Sequence, residues 1–144
     1  MTLEAIFSSA SILAMTGWAV LLLSPWLKRV SQIYAGLVVP IILSVGYTSL
    51  ILVYWFQAEG GYSSMADVAA LFETPGLLVA GWIHYLAFDL FIGAWQVRQA
   101  NRRKLPFWLI IPCLVLTFLF GPVGLLCFLA IRVAMPRPAR QSHA

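Results

Sequence analysis

The sequence predicts an all-helical integral membrane protein: a bundle of four transmembrane helices with a short interfacial helix between the second and the third. Two observations predict this class. Hydrophobic residues make up 62% of the 144 residues and charged residues only 10%, whereas roughly a quarter of a soluble domain is charged. The apolar residues also fall in four runs that approach or exceed the roughly 20 residues needed to cross the hydrocarbon core. We treat residues 1–144 as a single membrane domain.

The first two runs, residues 7–27 and 33–56, predict an antiparallel pair of helices. The segment that joins them, 28–32, is too short to hold a domain. The N-terminus carries Glu4 and lacks the positive region that opens a signal peptide. We therefore expect the first run to remain in the protein as a membrane helix.

The segment between the second and third runs predicts an interfacial helix over residues 64–74. A Gly60-Gly61 pair breaks the preceding helix, and Ser64 with Asp67 approximates a capping box. The apolar residues that follow recur at helical spacing. The alternative is a surface loop with a single helical turn, because so short a segment is only marginally helical alone.

The third run, residues 76–97, holds His84 and Asp89, the strongest candidates for function. A carboxylate at the centre of a membrane helix costs about 2.5–3.5 kcal/mol on insertion scales, so it usually faces a protein interior. Five residues advance a helix by about 500°, which leaves the two side chains about 140° apart. They bracket a ligand, or each bonds a different neighbour. The alternative is structural: a protonated Asp89 bonded to a Tyr or Ser of another helix, and His84 bonded to a backbone carbonyl.

Polar and aromatic residues form a stripe on each of the first three predicted helices. Steps of three, four and seven residues return to nearly the same side of a helix. The stripes therefore predict a lined interior, with simple packing as the alternative. The residues expected to contact a substrate there are Trp82, Tyr47, Tyr54, Ser44 and Gln96. The stripe of the first helix consists of Ser8, Ser11, Met15 and Trp18.

The fourth run, residues 107–131, is interrupted by Pro112 and by Phe-Gly-Pro-Val-Gly at 120–124. Proline removes a backbone donor, and Gly-Pro can break a helix outright. The interruptions are compatible with two structures, a kinked single span and a re-entrant hairpin. We favour the kinked span, since broken backbone at membrane depth must be buried in protein. One helix would hold Cys113 and Cys127 about 21 Å apart, too far to bridge.

Basic residues predict the orientation through the positive-inside rule. Lys28 and Arg29 follow the first run and residues 98–104 carry four more basic residues after the third, while the loop between the second and third runs is acidic. We therefore expect a multi-pass protein of the inner, cytoplasmic membrane with both basic loops in the cytoplasm. Four simple spans leave the basic tail, residues 132–144, on the opposite side. A re-entrant fourth run removes this conflict.

Several kinds of chemical site are missing from the sequence. Only His84 of the two histidines lies inside a run, so a bis-histidine haem site is excluded, and one His with one Asp is too few for zinc or di-iron. No phosphate-binding loop, serine nucleophile elbow or Cys-x-x-Cys occurs. We expect no metal and no cofactor. The net charge of +4 comes from short clusters, so we expect no nucleic acid as a partner.

Three stretches of the sequence are distinctive. They are GYSSMADVAALF at 61–72, GWIHYLAFDLFIGAW at 81–95 and PCLVLTFLFGPVGLL at 112–126. Together they resemble the abscisic-acid-deficient-4-like family, and WIHYLAFDLF at 82–91 is the most specific part. Plant members of that family are associated with neoxanthin synthesis from violaxanthin. The chain shows no chloroplast transit segment, so it resembles a bacterial member.

The resemblance implies an intramembrane reaction on a carotenoid or related isoprenoid. Rearranging an epoxy-carotenoid to an allene formally needs an acid at the epoxide oxygen and a base at a neighbouring carbon. By the resemblance, Asp89 and His84 share these catalytic roles and Tyr85 acts as a donor.

Two functional hypotheses follow from these observations. The first is a small membrane isomerase acting on a lipophilic polyene or other isoprenoid. The second is a non-catalytic membrane module that binds pigment, quinone or a partner helix through the same interior. A transporter gated by the interfacial helix is a lesser alternative. Membrane lipid is the expected surrounding partner, and a homo-oligomer is left open.

Overall fold

The computed structural model describes residues 2–135, and within that range helices follow one another without a strand. The predicted all-helical class is confirmed. In the second helix, which spans Lys28–Gln57, a π-helical turn at Tyr34–Val38 lies just before Pro40. The missing proline N–H favours a departure from α-helical bonding there. The helices are α1 (Leu3–Leu22), α2 (Lys28–Gln57), α3 (Met65–Glu73), α4 (Pro75–Arg103), α5 (Phe107–Phe120) and α6 (Pro122–Ala134).

Three of the helices are long and apolar enough to cross a membrane. They are α1, α2 and α4, with 20, 30 and 29 residues, and 20 helical residues match the roughly 30 Å of hydrocarbon in a bilayer. By contrast, α5 and α6 have 14 and 13 residues. The described chain therefore holds three candidate spans where we expected four.

The central helix of the fold is α4. Of its most apolar stretch 56% is buried, against 28% for α1 and for α2. Glycines allow this close approach, as small residues commonly do between membrane helices. A Cβ on Gly93 would lie 2.7 Å from the Trp18 ring of α1, and one on Gly76 would overlap the Tyr54 ring of α2.

The expectation of a single kinked fourth span is wrong, because the helix breaks at Gly121 and the chain folds back on itself. Gly121 has φ +29°, a conformation that a glycine adopts easily and other residues rarely do. The returning helix packs tightly, since a Cβ on Gly124 would overlap the backbone of Cys113 and Thr117. The Sγ atoms of Cys113 and Cys127 lie 3.4 Å apart as free thiols, so the separation expected for one helix does not apply. We call α5 and α6 the hairpin.

Helix α3 lies within the segment for which an interfacial helix was predicted. Its N-cap is Ser64, whose Oγ accepts a hydrogen bond of 3.1 Å from the Asp67 backbone N–H. The Phe72 side chain reaches α4, where a Cβ on Gly81 would lie 2.7 Å from the ring. As a result α3 covers the junction of α2 and α4 at the end where α4 begins.

Within residues 2–135, the folded-back hairpin gathers the basic residues at one end of the structure. Arg103 donates to the Arg132 carbonyl at 3.3 Å, and the Arg132 guanidinium lies 5.4 Å from the Trp95 ring. Arg98 donates to Gln32 Oε1 at 3.0 Å, which brings the start of α2 to the same end. The conflict over the basic tail therefore disappears for Arg132. Residues 136–144 of the predicted tail lie outside the described range.

Candidate functional site

Asp89 lies at the break of the hairpin. It sits near the middle of α4 and is 8% exposed. A Cβ on Gly121 would lie 2.5 Å from Asp89 Oδ1, so only glycine leaves room for the carboxyl group at this point. The Gly-Pro interruption in the sequence therefore both turns the chain and makes space for the acid.

The Asp89 carboxyl group lacks a full set of partners. Its Oδ2 atom is buried and receives no hydrogen bond from residues 2–135. Of the backbone groups at the turn, the Gly121 N–H donates to Thr117 and the Gly121 carbonyl accepts from Leu125. A buried polar atom without a partner costs about 1–3 kcal/mol, and such atoms in native proteins call for a functional explanation.

A cavity of about 230 Å³ opens beside this carboxyl group, between α1, α4 and α5. We call it the Asp89 cavity. Aromatic rings from all three helices line it, and its polar side chains include Ser11, Tyr85 and Asp89. The lining residues are Ser11, Met15 and Trp18 of α1; Trp82, Tyr85, Leu86 and Asp89 of α4; and Phe118 and Leu119 of α5.

A second space of about 230 Å³ lies next to the Asp89 cavity, between α1 and α5. The two spaces share Met15, Trp18 and Phe118, and the second runs on to Leu22 near the end of α1. Its walls are apolar throughout, and we call it the apolar extension. From Ser11 to Leu22 the path along α1 is about 16 Å at 1.5 Å per residue.

Tyr85 and Trp82 form the wall of the Asp89 cavity through bonds to other helices. The Tyr85 hydroxyl lies 2.9 Å from the Phe118 carbonyl and 3.0 Å from the Leu119 carbonyl, two groups that the end of α5 leaves without helical partners. Trp82 Nε1 donates to Ser11 Oγ at 3.0 Å. The geometry thus gives Tyr85 a role in holding the hairpin. The same side chain interacts with the Asp89 carboxyl group.

His84 lies on a different face of α4. Its side chain is exposed, and its ring centroid is 5.6 Å from Tyr47 and 4.7 Å from Phe88. It lines a separate cavity of about 260 Å³ formed by α2, α3 and α4, which we call the His84 cavity. The structure therefore does not bring His84 and Asp89 to one cavity, in keeping with their angular separation on the helix.

A family model, ABA DEFICIENT 4-like, matches residues 5–128. This range takes in most of α1, all of α2 to α5 and about half of α6, with the Asp89 cavity, the apolar extension and the His84 cavity. The chain belongs to the ABA DEFICIENT 4-like family. The resemblance inferred from the sequence motifs is thus confirmed. No protein of curated function and no solved structure matches the chain significantly.

The other predicted contact residues of this ABA DEFICIENT 4-like chain are distributed over three places. Tyr47 lines the His84 cavity. Tyr54 packs against Gly76 where α2 meets the start of α4. Ser44 lines a further cavity of about 220 Å³ between α2 and α4.

Gln96 lines none of these cavities. Its side chain is fully buried and its Nε2 donates to Thr117 Oγ1 at 2.9 Å, while the Thr117 hydroxyl lies 2.8 Å from the Cys113 carbonyl. This chain of polar groups ties α4 to the first half of the hairpin. In the ABA DEFICIENT 4-like chain Gln96 thus belongs to the support of the Asp89 cavity.

The residues that sequence reasoning missed come from the hairpin. Phe118, Leu119 and Gly121 complete the surroundings of Asp89, and only the Gly-Pro interruption and the conflict over the basic tail signalled them. The stripe of α1 did predict Ser11, Met15 and Trp18. No group of three or more His, Cys, Asp or Glu side chains that could hold a metal occurs in residues 2–135.

Proposed function

We propose that this ABA DEFICIENT 4-like protein acts inside the bilayer on a carotenoid or another isoprenoid, with Asp89 as its acid–base group. One observation carries the proposal: a buried carboxyl group with an unpartnered oxygen faces a cavity whose walls are aromatic. Perturbed or unsatisfied ionisable groups inside a cavity are typical of functional sites.

The shape of the Asp89 cavity supports a long, lipophilic substrate. Its polar side chains Ser11, Tyr85 and Asp89 are absent from the lining of the neighbouring apolar extension, which borders α1 and α5 without a polar side chain. Trp18 lines both spaces, and its ring packs edge-on against Phe118 with centroids 5.5 Å apart. Flat rings of this kind suit a conjugated chain, so a polyene placed here would present one oxygen-bearing end group to Asp89.

A single carboxyl group is enough for the proposed chemistry. In the rearrangement of an epoxide to an allenic alcohol, the protonated acid gives its proton to the epoxide oxygen as the carbon–oxygen bond breaks. The resulting carboxylate then removes a proton from the neighbouring carbon as the new double bond forms. The reaction is an isomerisation and consumes no net proton, so His84 is not required. We therefore assign to Asp89 alone the acid and base roles that the resemblance divides between Asp89 and His84.

A test is expression of the chain in two carotenoid-producing bacterial hosts, one with epoxy-carotenoids and one without. The proposal predicts new pigment species in the epoxide host, and a loss of conversion of about 10²–10⁴-fold in Asp89→Asn. The matched control is His84→Ala, which should convert as the parent does. Unchanged pigments in both hosts would overturn the catalytic proposal for this substrate class.

A second candidate is a non-catalytic module that binds the same lipid class. The apolar extension favours it, because its walls offer contact area for a lipid and carry no reactive side chain. A binding module predicts that pigment co-purifies with the protein in unaltered form. Asp89→Asn should then lower the amount of bound pigment without changing its identity.

We also propose that the protein lies in the inner, cytoplasmic membrane with its basic end in the cytoplasm. The gathering of Lys28, Arg98 to Lys104 and Arg132 at one end supports this orientation, as do the acidic residues Glu59, Asp67 and Glu73 near α3. Reporter fusions in the loops after α2 and after α4 test it. A cytoplasmic signal from the loop after α2 would contradict it.

A further inference from the structure

Two neighbouring cavities follow one another along the junction of α2 and α4, on the side of α4 away from the Asp89 cavity, and they share no lining residue. The upper one, nearer the start of α4, is the His84 cavity, with walls from Tyr47, Trp55 and Phe72. The lower one is the cavity of about 220 Å³ between Pro40, Ser44 and Phe88. We call the two cavities together the His84 groove, and each of them one half of it.

The two halves lie on consecutive helical turns. Tyr47 and Ser44 are three residues apart on α2, and His84 and Phe88 are four residues apart on α4 with ring centroids separated by 4.7 Å. From Trp55 in the upper half to Pro40 in the lower half, α2 rises about 22 Å at 1.5 Å per residue. A ring in the upper half and a tail that passes the exposed rings of His84 and Phe88 into the lower half would together span this length, which is enough for several isoprene units.

Only one end of the His84 groove is rich in polar groups. The upper half holds the imidazole of His84 and the hydroxyls of Tyr47 and Tyr62, and within residues 2–135 none of these three groups makes a hydrogen bond. In the lower half Ser44 is the single polar side chain. Such asymmetry suits an amphiphile with one oxygen-bearing ring better than a polyene with a ring at each end.

The exposed imidazole points to a ligand that arrives from the bilayer. An ionisable residue in a membrane helix normally finds a partner, because leaving it among lipid chains is costly. Here α3 covers the upper end of the groove through Phe72, while the lower half lies between exposed side chains such as Phe88 and Phe91. A ring can thus sit under α3 while its tail leaves along the lower half.

We propose that the His84 groove binds an isoprenoid quinone or its quinol. The ring lies in the upper half against Tyr47 and Phe72, an oxygen of the ring hydrogen bonds to His84, and the tail passes Phe88 to reach Ser44 and Phe91. Binding involves no electron transfer. The proposal is independent of the function proposed for Asp89, because α4 separates the two sides.

The experiment measures binding of a short-tailed ubiquinone and a short-tailed menaquinone to the purified full chain in lipid nanodiscs. Both should bind the parent. His84→Ala should weaken binding about tenfold, the loss expected for one hydrogen bond, and His84→Gln should recover part of it. Asp89→Asn, the control on the other side of α4, should bind as the parent does.

Three results would overturn the proposal. The first is equal affinity in the parent and His84→Ala. The second is equal binding of squalene, an isoprenoid without a ring, or tighter binding of a hydroxylated carotenoid with two end rings. The third is a combined result: neither the parent nor His84→Ala binds quinone, and the substitution converts an oligomer into a monomer. That result would assign the groove to a second copy of the chain. His84 is exposed, so its replacement leaves the packed interior of α4 intact.

Discussion

The two sides of α4 hold their ionisable residues in opposite ways. Asp89 is buried against the hairpin break, with an apolar extension beside it. His84 is exposed in the groove between α2 and α4, and the short helix α3 covers one end of that groove. The two residues are five positions apart on one helix, yet their neighbours come from different parts of the chain.

This difference shows that burial of the acid depends on the hairpin more than on α4 itself. Any residue in the middle of a membrane helix is far from water. Asp89 is shielded from lipid as well, because the broken backbone at Gly121 occupies the space beside it. Variants that disturb the hairpin should therefore affect the Asp89 side and leave quinone binding at the His84 groove unchanged.

The largest expected effect is all-or-none cross-linking within the hairpin. Because the two Sγ atoms lie 3.4 Å apart, oxidation by copper phenanthroline and oxygen should join Cys113 and Cys127 of the same molecule, with loss of two protons and two electrons to the oxidant. Mass spectrometry of the digested protein detects the linked peptide. The Cys127→Ser variant should give none. Dimers as the only product would argue for a straight fourth span.

The next effect is on stability and comes from Gly121→Ala. The new methyl group would lie 2.5 Å from Asp89 Oδ1, at a φ of +29°, so we expect a loss of about 1–3 kcal/mol in the free energy of unfolding together with loss of pigment conversion. Thermal unfolding in detergent measures the first. Gly46→Ala is the matched control, because a Cβ there meets nothing within 4 Å. Equal effects of the two substitutions would contradict the tight fit at the turn.

A smaller effect is expected where α4 meets the first half of the hairpin. Gln96→Leu leaves Thr117 without its side-chain partner in a fully buried position, and the expected cost is about 1 kcal/mol. Chemical unfolding measures it. For comparison, Thr48→Val removes an exposed hydroxyl that bonds only its own helix, and it should change stability by less than about 0.5 kcal/mol. A Gln96 variant as stable as the Thr48 variant would remove the role assigned to this bond.

The smallest effect concerns the wall of the Asp89 cavity. Ser11→Ala removes the acceptor of the Trp82 Nε1 hydrogen bond, and bonds between membrane helices average about 0.6 kcal/mol. Ser49→Ala removes a hydroxyl that bonds within its own helix and serves as the reference. A double-mutant cycle of Ser11→Ala with Trp82→Phe gives the coupling energy directly. A coupling of zero would show that Trp82 holds its place by packing alone.

Much of the fold and part of the site were predictable from local patterns. The apolar runs identify the long helices, Ser64 marks the start of α3, and the stripe of α1 places Ser11, Met15 and Trp18 in a lined interior. Two features of the sequence indicated the hairpin: the Gly121-Pro122 interruption, and the conflict between four simple spans and the basic residues of the tail. A local pattern alone does not decide between a kink and a full reversal, since that choice depends on whether α4 buries the broken backbone.

The division of the candidate site was harder to predict. The 140° between His84 and Asp89 separates the two side chains, but helical spacing does not tell which neighbouring helix lies on either side. Ser44, Tyr47 and Tyr54 share a stripe with one another, and yet that stripe faces the His84 groove and the start of α4 instead of Asp89. Tertiary packing therefore decides which polar residues act together.

The most direct test of two independent sites is one pair of variants, Asp89→Asn and His84→Ala, each measured for pigment conversion in the epoxide-producing host and for quinone binding in nanodiscs. We expect Asp89→Asn to lose conversion and keep quinone affinity, and His84→Ala to keep conversion and bind quinone about tenfold more weakly. Loss of both properties in both variants would mean that the two sides of α4 form a single site, contrary to the geometry described.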